Sequence, residues 1–374
     1  MPGLEIAGYS RSPESIWLIH TAEINPGPIF TEHFENLTVL NDKAMAVHVR
    51  ATECVTAHPS PDCSVIIVNW NTKDLLNKCL STLFAQTSNI SLEVFVVDNG
   101  STDQSREMIQ SKYPQVNLIA NTENRGFADA NNQAASLANG HYLLILNPDT
   151  ILPEGAIEHM IEYADKHEKC GILGPKLLSE DGSLQRSCWP IYPGIRMAFS
   201  DALYLWKVRL LPVFFTSEYP LHMLRNTIPV AHILGACMLI RHDTWSKAGP
   251  MDENYFLYME ETKLCFNARQ HGWQIIYNPF IEIVHLGQRS SRQIPEKSLR
   301  NFYISYYRFC KEVRQYSLQE LFMLKLLLYL GVIVRLGLWN WRLIFSRNQT
   351  RREQALSMIN GYSRAREVIT NLKS

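Results

Sequence analysis

From Cys63 onward, short apolar runs rich in β-branched residues alternate with segments whose apolar positions recur every three or four residues. Parallel strands joined by crossover helices produce this pattern. Val65-Ile66-Ile67-Val68 predicts a first strand, and Leu76, Cys79, Leu80, Leu83 and Phe84 fall on one stripe of a following helix. Val94-Phe95-Val96-Val97 predicts a second strand, after which Ser101 and Gln104 have the spacing of a capping box. Residues 116–120 and 142–146 supply two more strands around a helical stretch at 129–138, and Pro153 stands where helices begin. The order βαβαβαβα predicts an α/β domain with its ligand site where the carboxyl ends of the strands meet the loops.

The following region is less regular, with a strand expected at 233–240, a helix at 260–271 and further strands at 273–277 and 281–284. Residues 1–61 form a polar, proline-scattered extension in which 44–49 alternates like one strand. A small β appendage and a loose leader both fit it. At the other end, 322–345 is apolar but interrupted by Lys325, Arg335 and Arg342, so its uncharged runs fall short of the ~20 residues that span a bilayer. On a helical wheel these charges and Asn340 share an arc of about 160°. That predicts a helix lying in a membrane surface, with Trp339 and Trp341 at headgroup depth and Arg347, Arg351 and Arg352 near anionic lipid. An internal helix packed on the domain is the alternative.

Composition narrows the function. Lys plus Arg and Asp plus Glu are both 36, so no net charge draws the molecule to nucleic acid, and an anionic ligand needs a local site. The eight cysteines include no C-x-x-C pair and no zinc spacing, which reads as free thiols in a reducing compartment. No basic segment followed by an apolar run marks a secretory signal, so a cytoplasmic location is expected.

Neither common phosphate loop is present: the first strand runs into Asn69-Trp70-Asn71-Thr72-Lys73. The strand ends are instead polar and acidic, with Asp98-Asn99-Gly100-Ser101-Thr102-Asp103 after the second and Asn147-Pro148-Asp149-Thr150 after the fourth. A carboxylate at Asp98 can accept the imide N–H of uracil or thymine. Asp149 is a hard oxygen ligand suited to Mg or Mn, which would neutralise a diphosphate leaving group. Taken singly, both motifs are also ordinary turn sequences.

Together and in order, the motifs resemble the inverting nucleotide-sugar glycosyltransferases of family 2. The matching pieces are Val65 to Asn71, Val97 to Asp103, Asn124-Arg125-Gly126-Phe127-Ala128, Leu146-Asn147-Pro148-Asp149, Gly235 to Arg241, Asp252-Glu253, and Tyr258-Met259-Glu260-Glu261. The N-P-D form and the G-A-x-M-L-I-R run are most similar to the rhamnosyltransferase-like branch that builds bacterial surface polysaccharides. The resemblance implies an α/β, GT-A-type Rossmann-like mixed sheet flanked by helices, with the catalytic domain at 62–300 and a helical, membrane-associating extension at 301–374.

It also implies roles. Asn69 and Asp98 would hold the nucleobase and ribose, and Arg125, Gly126 and Phe127 would flank the nucleotide. Asp149 would bind the metal, with His285 a further metal or diphosphate ligand or simply a structural histidine. Glu261, following Glu260, would be the general base, taking the proton of an acceptor hydroxyl as it attacks the anomeric carbon. Relatives usually read E-D-x-D-L-C-x-R here, so Lys263 and Asn267 depart from the pattern. The expected activity is transfer of rhamnose or a similar sugar from a dTDP- or UDP-donor to a lipid-linked or cell-surface glycan, at the inner face of the membrane. The alternative is a catalytically impaired, nucleotide-sugar-binding scaffold of a polysaccharide assembly complex. Trp189 and Trp206 are candidate sugar-stacking residues that could equally be core.

Overall fold

The computed structural model describes residues 60–87, 89–205, 218–287 and 295–372, together with the short antiparallel strands β1 (Thr38–Val39) and β2 (Val47–His48). Trp206 lies outside the described residues. By their contacts, residues 1–59 form one unit and 60–374 another.

In the second unit, β3 (Cys63–Asn69), α1 (Lys73–Gln86), β4 (Leu92–Asn99), α2 (Ser105–Lys112), β5 (Asn117–Asn121), α3 (Phe127–Ala135) and β6 (Tyr142–Leu146) follow the alternation expected from the sequence. There follow β7 (Thr150–Ile151), α4 (Ala156–Lys166), β8 (Cys170–Leu178), β9 (Cys188–Trp189), α5 (Ile195–Ala202), β10 (Ile228–Pro229), β11 (His232–Ile233), β12 (Cys237–Arg241), α6 (His242–Ala248), α7 (Glu260–Gln270) and β13 (Gln274–His285). Three helices close the chain: α8 (Pro295–Arg308), α9 (Leu318–Phe345) and α10 (Gln349–Asn371).

The main sheet runs β10-β13-β8-β12-β6-β3-β4-β5, with β7 paired to β13. β3 to β6 are mutually parallel, whereas β12 lies antiparallel between β6 and β8, which makes the sheet mixed. Alternation along β3 explains the layering: Val65 and Ile67 pack under α1, α2 and α4, while Ile66 faces α3 and α7. Each fully buried aliphatic side chain in these layers contributes about 1.5–3 kcal/mol. A third cluster joins α5, α8, α9 and α10 through Met197, Tyr303, Tyr306, Leu324, Leu328 and Tyr362.

Three local expectations change. Ser101 does not cap α2: its hydroxyl accepts from the Asn71 backbone and Asn69 Nδ2, and Asp103 Oδ1 accepts from the Ser105 amide at 3.1 Å instead. The apolar run 233–240 splits into β11 and β12, which belong to different sheets. The two strands expected at 273–277 and 281–284 are one strand, β13, with a register irregularity between Asn278 and Glu282.

The aromatic face of Trp189 is occupied. It stacks on His232 with centroids 4.7 Å apart and an interplanar angle of 5°, so this tryptophan packs against protein. His232 is buried there, and burial pushes its pKa down to about 3, keeping the ring neutral.

Two charges of the arc on α9, Lys325 and Arg335, face the protein, whereas Arg342 and Asn340 are exposed. Lys325 donates to the carbonyls of Thr370 and Leu372 at the end of α10, and Arg335 donates to Gly331 and lies over the Tyr204 ring. Leu321, Leu324, Leu328 and Val332 are buried, and Phe322, Leu326, Ile333, Trp341 and Ile344 form the exposed face. By length and composition this helix is long and apolar enough to cross a membrane, with a mean hydropathy of 2.1 in its best window. The broken uncharged run had suggested otherwise, but two of its three charges, Lys325 and Arg335, are taken up by the protein.

Candidate active site

The carboxyl ends of β4, β3 and β6 lie side by side and bring the polar motifs to one rim. Asp98 and Asn69 end adjacent strands in direct register. Asn69 Nδ2 donates to Asp98 Oδ2 at 2.8 Å, while Asp98 Oδ1 accepts from the Ser101 amide at 3.0 Å and from Arg106 Nε at 2.6 Å. Asp98 is completely buried. Burial alone would raise its pKa, but the hydrogen bonds from Ser101, Arg106 and Asn69 outweigh that and hold it below the usual carboxylate value. Asp98 is thus the anchor of the rim, and the groups nearer solvent are Asn71, Ser101 and Arg106. Arg106 had no signal in the sequence beyond its place near the motif, and Asn71 ends the matching piece that begins at Val65 without an assigned role.

Gly126 has φ +91° and ψ 177°, a region essentially restricted to glycine. A Cβ there would lie 2.7 Å from the Phe256 carbonyl oxygen, which also accepts from the Phe127 amide at 3.0 Å. The glycine therefore lets the 252–259 loop close onto the start of α3. Arg125, exposed beside it, forms an ion pair with Asp129 at 2.9 Å.

On the far side of β3, the turn after β6 is stitched to its surroundings. The Asn147 amide donates to Ala236 and the Thr150 hydroxyl to Asn147. Pairing of β7 with β13 brings Asp149 to His285, with Oδ1 3.2 Å from Nε2 and both side chains buried. Asn147 Nδ2 lies 3.4 Å from the same nitrogen. On the other edge of the ring, Nδ1 lies 2.8 Å from Gln185 Oε1.

Glu260 and Glu261 open α7. The two residues before them, Tyr258 and Met259, have φ of +70° and +73°, and such strained non-glycine backbone clusters at functional sites. Burial, reinforced by the neighbouring Glu261 charge, pushes Glu260 well above the ordinary carboxyl range. Burial likewise raises Glu261 to about 7, despite the backbone N–H groups of the helix start. Among the described residues, Oε2 of each glutamate is enclosed without a hydrogen-bond partner. The Asp149 turn and Glu261 meet around Gly235: its neighbour Ala236 holds Asn147, and a Cβ on Gly235 would lie 3.4 Å from the Phe127 ring and 3.6 Å from the Glu261 Cβ. The space beside Gly235 is therefore flanked by Phe127 and the base candidate.

Residues 64–243 match the sequence profile of glycosyl transferase family 2. That segment, just under half of the chain, is a glycosyl transferase family 2 domain. The chain is 28% identical over 261 residues to the N-acetylglucosaminyl-diphospho-decaprenol L-rhamnosyltransferase of Mycobacterium tuberculosis, covering 66% of this chain and 82% of the relative. It is 24% identical over 228 residues to the low-salt glycan biosynthesis hexosyltransferase Agl10 of Haloferax volcanii, covering 60% of this chain and 67% of the relative. The fold is similar to that of the mannosyltransferase PcManGT from Pyrobaculum calidifontis, solved with GDP-Man and Mn2+, at a TM-score of 0.50 and 15% identity over 83% of this chain and 86% of that one. The fold is of the GT-A type, and the matched segment is that of a glycosyltransferase.

The departures Lys263 and Asn267 have structural partners. Lys263 Nζ pairs with Asp252 Oδ2, and Asn267 Nδ2 donates to the Ala248 carbonyl at 3.1 Å. Both hold the 248–259 segment against α7. A separate cavity lined by Tyr192, Phe266, Arg269 and Arg314 lies near the other end of α7, eight residues or roughly 12 Å along the helix from Glu261.

Proposed function

We propose that this glycosyltransferase inverts the anomeric centre of a dTDP- or UDP-linked sugar, rhamnose or similar, as it transfers that sugar to a hydroxyl of a polyprenol-linked or cell-surface glycan. The observation that carries this reading is the Glu261 carboxyl, enclosed, without a partner on Oε2, and raised to about 7 beside the space at Gly235. A carboxyl poised near neutrality can take a proton from an attacking hydroxyl, which typically contributes about 10²- to 10⁴-fold in rate. Burial and the neighbouring Glu261 charge push Glu260 upward as well, so the adjacent pair disfavours carrying two charges at once.

On this reading, the donor's diphosphate lies along the rim between Asp98 and the Asp149 turn. Asp98, buried and with both oxygens bonded, serves the nucleotide site by keeping Asn69, Ser101 and Arg106 in place. Arg125, Gly126 and Phe127 flank the nucleotide. The residues fit a divalent cation, Mg or Mn. The Gln185 Nε2 donates to the His285 carbonyl at 2.6 Å, so Oε1 is the atom facing Nδ1, and Nδ1 carries the hydrogen. His285 Nε2 and the Asp149 carboxylate then confront each other as electron-pair donors at 3.2 Å, an arrangement that a cation or a proton reconciles. Asp149 and His285 would hold the ion, which when bound neutralises the departing diphosphate; donor phosphate oxygens would complete its shell.

The decaprenol-linked acceptor in the name of the M. tuberculosis relative supports a lipid-linked acceptor here. The exposed apolar face of α9 supports docking on the cytoplasmic face of an anionic membrane. The polar helix α10 runs back along α9, with Arg352 reaching the carbonyls of Leu343 and Ser346 and Lys325 reaching the end of α10. A helix flanked over its length by such a partner lies on a bilayer more readily than through it. Donor binding with loss of transfer in Glu261→Gln tests the central assignment. Lys263 and Asn267, which had motivated the scaffold alternative, are occupied in holding a loop.

A further inference from the structure

Gln185 is buried in no motif that the family resemblance uses, yet it touches the candidate cation site from behind. The turn after β8 puts it there. Gly182 takes φ +77°, the Ser179 amide donates to Ser183 at 2.8 Å, and the Gln185 amide donates to Leu177 at 2.9 Å, so the chain doubles back along β8. The side-chain amide of Gln185 then grips His285 twice. Oε1 lies 2.8 Å from Nδ1, while Nε2 donates to the His285 carbonyl at 2.6 Å and to Ser179 Oγ at 3.2 Å. Two carbonyl and hydroxyl acceptors on the Nε2 side fix which way the amide points, because a carbonyl oxygen can only accept.

We infer that Gln185 is a positioning residue for the metal site, setting the tautomer and ring orientation of His285 so that Nε2 is presented beside Asp149. The inference rests on the cation reading of Asp149 and His285 above. A ligating histidine whose other nitrogen donates to a fixed acceptor is held in the ligating tautomer, and loss of such an outer partner typically weakens metal binding by about 10- to 100-fold. Methionine at this position keeps the length of the side chain and removes both the acceptor and the donor. Glutamate keeps an acceptor for Nδ1.

The test is Mn2+ affinity, read by electron paramagnetic resonance of free Mn2+ in the presence of saturating dTDP or UDP, with thermal melting to establish that each variant is folded. The expected result is binding weakened by about 10- to 100-fold in Gln185→Met, largely restored in Gln185→Glu, and weakened at least as much in His285→Ala. The double variant Gln185→Met/His285→Ala should bind no worse than His285→Ala, because the glutamine acts only through the ring. Wild-type affinity in folded Gln185→Met, with His285→Ala impaired, would show that Gln185 only packs and would overturn the inference. Undiminished Mn2+ binding in His285→Ala would overturn the cation reading itself.

Discussion

Asn69 Nδ2 and Asp98 Oδ2 lie 2.8 Å apart at the ends of neighbouring parallel strands, and this bond joins the two rim motifs into one unit. Its partner donors, the Ser101 amide and Arg106 Nε, complete a carboxylate with no exposed surface.

Asp98→Asn keeps the shape and removes the charge, leaving donors aimed at an amide. It should cost about 1–3 kcal/mol of stability at neutral pH, measured by denaturant unfolding. Because the folded-state pKa is depressed, the stabilisation from Asp98 is present above the unfolded carboxyl value of about 3.9 and is lost as pH falls through the lower folded value. The difference between parent and Asp98→Asn should therefore shrink on acidification below about pH 4.

Glu261→Gln should lower transfer by about 10²- to 10⁴-fold while donor affinity stays within error, as read by calorimetry and turnover. In the parent, activity should rise with pH through about 7, since the base must be ionised and burial has raised it. The raised carboxyl has the opposite linkage to Asp98: it costs stability increasingly as pH climbs from its unfolded value toward about 7. Glu261→Gln should accordingly melt higher than the parent at pH 8 and nearly with it at pH 4.

Gly126→Ala places a methyl against the Phe256 carbonyl at a backbone angle that favours glycine. A loss of about 1–3 kcal/mol is expected. Gly235 has no such strain and has ordinary contact distances, so Gly235→Ala should fold normally. Gly235→Val should also fold, with KM raised or kcat lowered, because its branches enter the space between Phe127 and Glu261. Unchanged kinetics in folded Gly235→Val would remove that space from the site.

Phe322→Gln, Trp341→Gln and Ile344→Gln together change only exposed positions of α9. Sedimentation with anionic phospholipid vesicles should fall, and transfer to a water-soluble acceptor analogue should persist. Equal sedimentation of parent and triple variant would exclude this face as the membrane contact.

The sequence by itself determined the strands β3 to β6 and the helices between them, because apolar periodicity is a local record of which face is buried. The motif residues at strand ends were legible for the same reason, and their order identified the family. What lay beyond local pattern was decided by packing. The run 233–240 breaks into two sheets because β12 inserts between β6 and β8. Lys325 and Arg335 of α9 turn inward because α10 and Tyr204 supply acceptors and a ring for them. Gln185 became a neighbour of His285 only when a left-handed turn folded the chain back along β8, so no spacing in the sequence announced it. The same holds for the partners of Lys263 and Asn267, which a motif comparison reads as substitutions and the tertiary structure reads as contacts. Long-range hydrogen bonds and burial depend on which segments pass one another in space, and that information exists only after the chain has folded.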